Sequence, residues 1–183
     1  MGGGLVVAAL LSAVFLWING DESHGPLYDS RYTASSIGFT VDVDVPFAWA
    51  YTLLSNHGRS TVQLREADLV DSSGIQVIRA FVAPGSAARK HPVTSPTFTL
   101  STDLVPLDEA RMLPGENLLL VLKLEVSQPG EFTARGVSVS YDAEDTTFDI
   151  EYPDWIRVCT PASETESCDS QHLPAQDPPV VAG

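Results

Sequence analysis

A chain of 183 residues, 44% hydrophobic and with a formal net charge of −14, is long enough to bury one sizeable core without staples. Its sequence pI is about 4.4, and such a surface repels nucleic-acid phosphates and anionic lipid headgroups. Nucleic acid is therefore excluded as a partner, whereas basic partners and divalent cations stay open.

The first element is apolar. Residues 2–18 carry no charge, and residues 5–18 are continuously apolar apart from Ser12. As a helix such a run rises about 25 Å, at the short end of what crosses a bilayer. Trp17 stands at its end, where an interfacial ring belongs. No basic segment precedes the run and no small-x-small cleavage site follows it, which favours a transmembrane anchor over a cleaved signal helix. A buried segment of a soluble core is the third reading; the terminal position and uniform apolarity of the run argue against it. Residues 1–20 are thus expected to be a single N-terminal transmembrane or signal helix, contacting the membrane through 5–18. Residues 21–36, polar and without an apolar period, are expected to form a spacer.

From residue 37 a period of two begins. Ile37, Phe39, Val41, Val43 and Val45 alternate with smaller or acidic residues, predicting a half-buried strand over 37–45. Pro46 ends it. A second strand is expected over 47–54, with Trp49, Tyr51 and Leu53 on one face. Ser55-Asn56-His57-Gly58 is turn chemistry. The next strand covers 60–70, and its apolar parity slips between Leu64 and Ala67, predicting a bulge at Arg65-Glu66. Asp71-Ser72-Ser73-Gly74 is a further turn, followed by a strand over 75–82. Residues 84–96 read as an exposed loop carrying Arg89, Lys90 and His91, and 97–100 as a short strand.

Leu113-Pro114-Gly115-Glu116 predicts a Pro-Gly turn. The strand over 117–126 then places Leu118, Leu120, Leu122, Leu124 and Val126 on one face, with Lys123 and Glu125 marking the other. Pro129-Gly130 makes another turn. A strand over 132–141 has opposite parities before and after Gly136, a candidate bulge. The last strands are expected at 146–150 and 155–158. Residues 161–183, polar and Pro-rich, are expected to be a mostly disordered acidic tail.

Short strands, frequent turns and no helical period within 37–160 indicate an all-β sandwich or barrel. Three stretches carry a closer resemblance: Tyr51-x-Leu53-x-Ser55-Asn56-x-Gly58, Leu113-Pro114-Gly115-Glu116 before a long apolar strand, and Pro129-Gly130-Glu131-Phe132 leading to Val137-x-Val139-x-Tyr141. With these the region resembles bacterial immunoglobulin-like and fibronectin-type-III-like domains of the cell envelope. The resemblance implies an immunoglobulin-like antiparallel β-sandwich that binds, spaces or assembles. Two hallmarks are missing: there is no inter-sheet cysteine pair, and Tyr141 comes late in its strand for a tyrosine corner.

The only cysteines, Cys159 and Cys168, read as a disulfide in an exported chain. No G-x-S-x-G, H-E-x-x-H, P-loop or dinucleotide-binding motif occurs. His24, His57, His91 and His172 all fall in expected spacer, turn, loop or tail, so no catalytic residues are assigned. Asp42 and Asp44 share a strand face, and with Asp142, Glu144 and Asp145 they are the candidate calcium ligands, opposed by the reading of a solvated acidic surface. No other cofactor is expected.

The expected function is that of a membrane-tethered extracytoplasmic module in protein binding or envelope assembly, without catalysis. Arg89, Lys90 and His91 are its candidate partner contact. An extracytoplasmic calcium or ligand sensor is the alternative. The expected location is the cell membrane, single-pass, with the C-terminal domain outside the cytoplasm; secretion is the alternative.

Overall fold

The computed structural model describes residues 25–28, 35–50, 52–86, 94–95, 103–160 and 180–182. Within them the chain is all-β. Its strands are β1 (Ser36–Thr40), β2 (Phe47–Trp49), β3 (Leu53–Ser55), β4 (Val62–Val70), β5 (Ile75–Pro84), β6 (Thr94–Ser95), β7 (Val105–Pro106) and β8 (Arg111–Met112). There follow β9 (Asn117–Val126), β10 (Glu131–Ala134), β11 (Gly136–Ala143), β12 (Thr146–Tyr152), β13 (Trp155–Cys159) and β14 (Val180–Ala182). A 3-10 turn, Leu107–Glu109, lies between β7 and β8.

Three sheets result. Their orders are β1-β13-β10, β14-β12-β11-β4-β8, and β6-β2-β9-β5-β7 with β3 also paired to β9. All pairings are antiparallel except that of β1 with β13, which is parallel. The first two sheets are bends of one layer, because only Arg135 separates β10 from β11 and only Pro153-Asp154 separates β12 from β13. Facing it is the β9 sheet. Trp49, Leu120, Leu122 and Leu124 of that sheet meet Leu64, Val139, Tyr141 and Ile150 of the other in a single core cluster. Burying a large apolar side chain is worth about 1.5–3 kcal/mol, so this shared interior is what joins the layers. The arrangement is compatible with a β-sandwich.

Several expectations from periodicity are met in the strands. β9 has the bounds the alternation predicts, and the Pro114-Gly115 turn closes with Glu116 N–H on Leu113 C=O at 3.0 Å and Gly115 at φ +77. The pairing of β4 with β11 shifts register where Ser140 faces Glu66 and Tyr141 faces Leu64. Arg65 is the extra residue, at the bulge the sequence predicts.

Other elements differ. The strand expected over 37–45 stops at Thr40; Asp44 takes φ +59, and its N–H goes to Val126 C=O of the other sheet. The chain changes layers there, and alternation alone carries no sign of a change of partner. The strand expected over 47–54 is two strands. Trp49 faces Leu122 and Leu53 faces Leu119, so the β2–β3 side has one residue too many. That bulge sends Leu54 inward and leaves Leu53 exposed, reversing the face predicted for Leu53; Tyr51 lies outside the described residues. The expected bulge at Gly136 is a strand switch between sheets, and a Cβ at Gly136 would lie 2.5 Å from Tyr152 C=O. On β9, Leu119 and Val121 are buried as well, in a second cluster with Ala50, Phe81 and Ala83 on the outer face that Lys123 and Glu125 had marked as polar.

Within the expected loop 84–96, Thr94–Ser95 pairs with β2; within the expected disordered tail, Val180–Ala182 pairs with β12. The expected spacer also contributes to the fold. Leu27 sits in the main core, and Ser35 N–H and Oγ donate to Asp154 Oδ1 at 3.1 and 2.7 Å. The expected membrane or signal segment, residues 1–20, lies outside the described residues. Among the described residues no helix is long and apolar enough to cross a membrane.

Candidate functional site

The bulge on β4 has a chemical consequence. It turns Arg65 and Glu66 outward together, so Arg65 reaches across to Asp142 on β11. Arg65 Nε donates to Asp142 Oδ2 at 2.8 Å, its terminal amine donates to the same oxygen, and Thr147 Oγ1 donates to Asp142 Oδ1 at 2.8 Å. These bonds favour the charged form. The Arg65 guanidinium first, and the Thr147 hydroxyl second, hold the Asp142 carboxyl below the usual carboxylate range.

Beside this pair lies an open groove of about 670 Å³, lined also by Thr61, Gln63, Asp108, Glu109, Arg111 and Glu144. The Gln63 amide donates to the carbonyls of Leu64, Asp108 and Ala110, each at 3.1 Å, and its Oε1 accepts from Arg111 Nε at 2.9 Å. Gln63 is thus held by the protein itself. The charged lining comprises two guanidinium groups and four carboxylates, a chemistry that suits polar, charge-bearing contacts.

Buried polar groups serve the fold. Asn56 Nδ2 donates to Ser60 C=O at 2.9 Å and Met112 C=O at 3.1 Å, while its Oδ1 accepts from Gly58 N–H at 2.9 Å. Asp154, fully buried, accepts from Thr52 Oγ1 at 2.6 Å besides its bonds from Ser35. Arg157 is bidentate to Glu131, 2.9 Å on each arm, across β13 and β10. At the N-terminal edge, Leu27 is clamped between two tyrosines. Its N–H donates to Tyr141 Oη at 3.5 Å and its C=O accepts from Tyr152 Oη at 3.2 Å. Sequence reading missed this clamp, for a single leucine in a polar stretch carries no period.

The five candidate calcium carboxylates are not brought together. Asp42 and Asp44 sit by Val126, at one end of β9, whereas Asp142 faces Gln63 toward the other end of that strand. Glu144 and Asp145 are not a loop with Asp142 but a two-residue turn between β11 and β12, with Glu144 at φ +56. Among the described residues no group of three or more His, Cys, Asp or Glu is placed to hold a metal ion. Arg89, Lys90 and His91 lie outside the described residues, as does Cys168; Cys159 is buried at the end of β13, and there is no free cysteine among the described residues. No protein-family model matches the chain, and the curated proteins likewise give no match.

Proposed function

We propose that the chain is a non-catalytic, extracytoplasmic binding module of immunoglobulin-like type, tethered to the membrane through residues 5–18. The strand arrangement supports the fold type. β4, β11 and the β12–β13 strand stand in the order of one immunoglobulin sheet, and β2–β3, β9 and β5 in the order of the other. The observation that carries the binding role is the open groove with its exposed charged lining of Arg65, Asp108, Glu109, Arg111 and Glu144. Specific surfaces of this kind act through association rate and orientation. Arg89, Lys90 and His91 add a basic contact on an otherwise acidic chain, and a Cys159–Cys168 disulfide closes the last strand in the oxidising compartment.

Affinity capture from membranes with the full chain tests the role. A stoichiometric protein partner is expected, bound several-fold less in an Arg89→Glu/Lys90→Glu variant of unchanged melting temperature. Capture that is indifferent to this change, and equally to Arg111→Glu in the groove, would rule out both contact surfaces.

A further inference from the structure

Residues 25–28 fix where the chain enters the fold. Gly25 lies against the Tyr141 hydroxyl and the Phe148 ring, too close for any Cβ. Pro26 C=O accepts from His57 N–H at 2.8 Å, and Pro26 leaves no room for a Cβ on Gly58, where one would lie 2.5 Å away. Leu27 is clamped by Tyr141 and Tyr152 as described. Farther along, Ser35 bonds Asp154, and β1 then runs parallel to β13 as far as Cys159. Residues 25–28 and then 35–40 thus lie along β12 and β13, in the direction of those strands. It enters at the end bearing the Glu144-Asp145 and His57-Gly58 turns and reaches the end bearing the 71–74 turn.

We propose that this strap holds the sandwich upright on the bilayer, with the Glu144-Asp145 end facing the membrane and the 71–74 end facing away. The inference rests on the reading of residues 5–18 as an anchor. Only residues 19–24 separate Ile18 from Gly25, a reach of at most about 25 Å when fully extended. The sandwich itself is longer: the ten residues of β9 span roughly 33 Å. A free spacer over all of 21–36 would let the domain tumble, whereas a chain already seated at 25–28 leaves only the short tether before Gly25. The groove beside Glu144 consequently lies at the membrane-facing end, within reach of the extracytoplasmic surface of a neighbouring membrane protein.

Energy transfer in proteoliposomes measures this. The full chain carries a donor fluorophore as a non-natural side chain at position 145 or 73, both exposed, and the vesicles are phosphatidylcholine with acceptor-labelled headgroups. Transfer from 145 is expected to exceed that from 73 at least twofold, and a twelve-residue Gly/Ser insertion between Glu22 and Ser23 should abolish the difference. Equal transfer from the two positions in a chain that floats with the vesicles overturns the orientation and leaves the anchor standing. A difference that survives the insertion shows that the short tether does not set it, and overturns the proposal as well. A chain that fails to float overturns the anchor and the orientation together.

Discussion

Leu27 is an isolated apolar side chain that contributes to the main core from outside the principal strands. Truncating such a residue costs the lost transfer free energy plus the cavity left behind. Leu27→Ala should therefore lower stability by about 2–5 kcal/mol in a denaturant titration, while a substitution at exposed Leu53 should change it little. The same clamp gives a pH signature. Burial, chiefly, pushes the Tyr141 hydroxyl up to about 12; the bond from Leu27 N–H lowers it and Asp149 raises it. A folded value above the ordinary one of about 10 means that the neutral form is favoured by folding. The contribution of Tyr141 is then fully present below pH 10 and is lost as pH rises from 10 through 12. Alkaline unfolding of the native chain should be steeper over that interval than that of Tyr141→Phe. Identical slopes would mean that Tyr141 ionises alike in the folded and unfolded chain.

At the level of strands, the layer switches are the vulnerable points. Gly136 passes so close to Tyr152 C=O that even a methyl group at that position meets backbone rather than a movable side chain. Gly136→Ala should destabilise by about 1–3 kcal/mol, the usual cost of overpacking, although alanine suits an extended backbone better than glycine does. Thermal melts of the two chains decide between these opposed effects, and an alanine variant at least as stable as the native chain would show that the crossing can shift. Such switches also explain which strands were legible in the sequence. β9 was, because its inward face is a row of leucines with one pairing direction throughout. The β4 bulge was legible too, since Arg65 and Glu66 break the parity of a strand that stays in one sheet. Residues 37–45, 47–54 and 132–141 were read as single strands because alternation reports which side chains point inward and not which strand lies alongside. Where the partner changes at Arg135 a parity slip is visible and its cause is not; at Val41–Asp44 the alternation runs on unbroken and gives no sign of the change.

For the whole molecule, charge is the variable that distinguishes the readings of its acidic surface. Individual carboxylates are easy to pick out in the sequence, but their grouping is not, because Asp42 follows β1 and Asp142 lies on β11, at opposite ends of the fold. The groove was hidden for the same reason: Gln63, Asp108, Arg111 and Asp142 meet only through the pairing of β4 with β8 and β11. A chain with a net charge of −14 repels itself when compact. Among the described ion pairs that oppose this, Arg65–Asp142 and Arg135–Asp71 lie at the surface and contribute little; only Arg157–Glu131 has its guanidinium buried. Screening should therefore relieve more repulsion than attraction, the Debye length shortening from about 30 Å at 0.01 M to about 8 Å at 0.15 M salt. The melting temperature is expected to rise with sodium chloride over this range. Calcium chloride at matched ionic strength should add no more than a slight further increment, since no described cluster of carboxylates supplies the six to eight oxygens that calcium takes. Binding to the native state alone raises stability by mass action, by about 2.7 kcal/mol at a hundredfold excess over the dissociation constant. A saturable calcium-specific rise of that order at micromolar concentration would establish a site that the separation of Asp42 and Asp44 from Asp142, Glu144 and Asp145 does not provide.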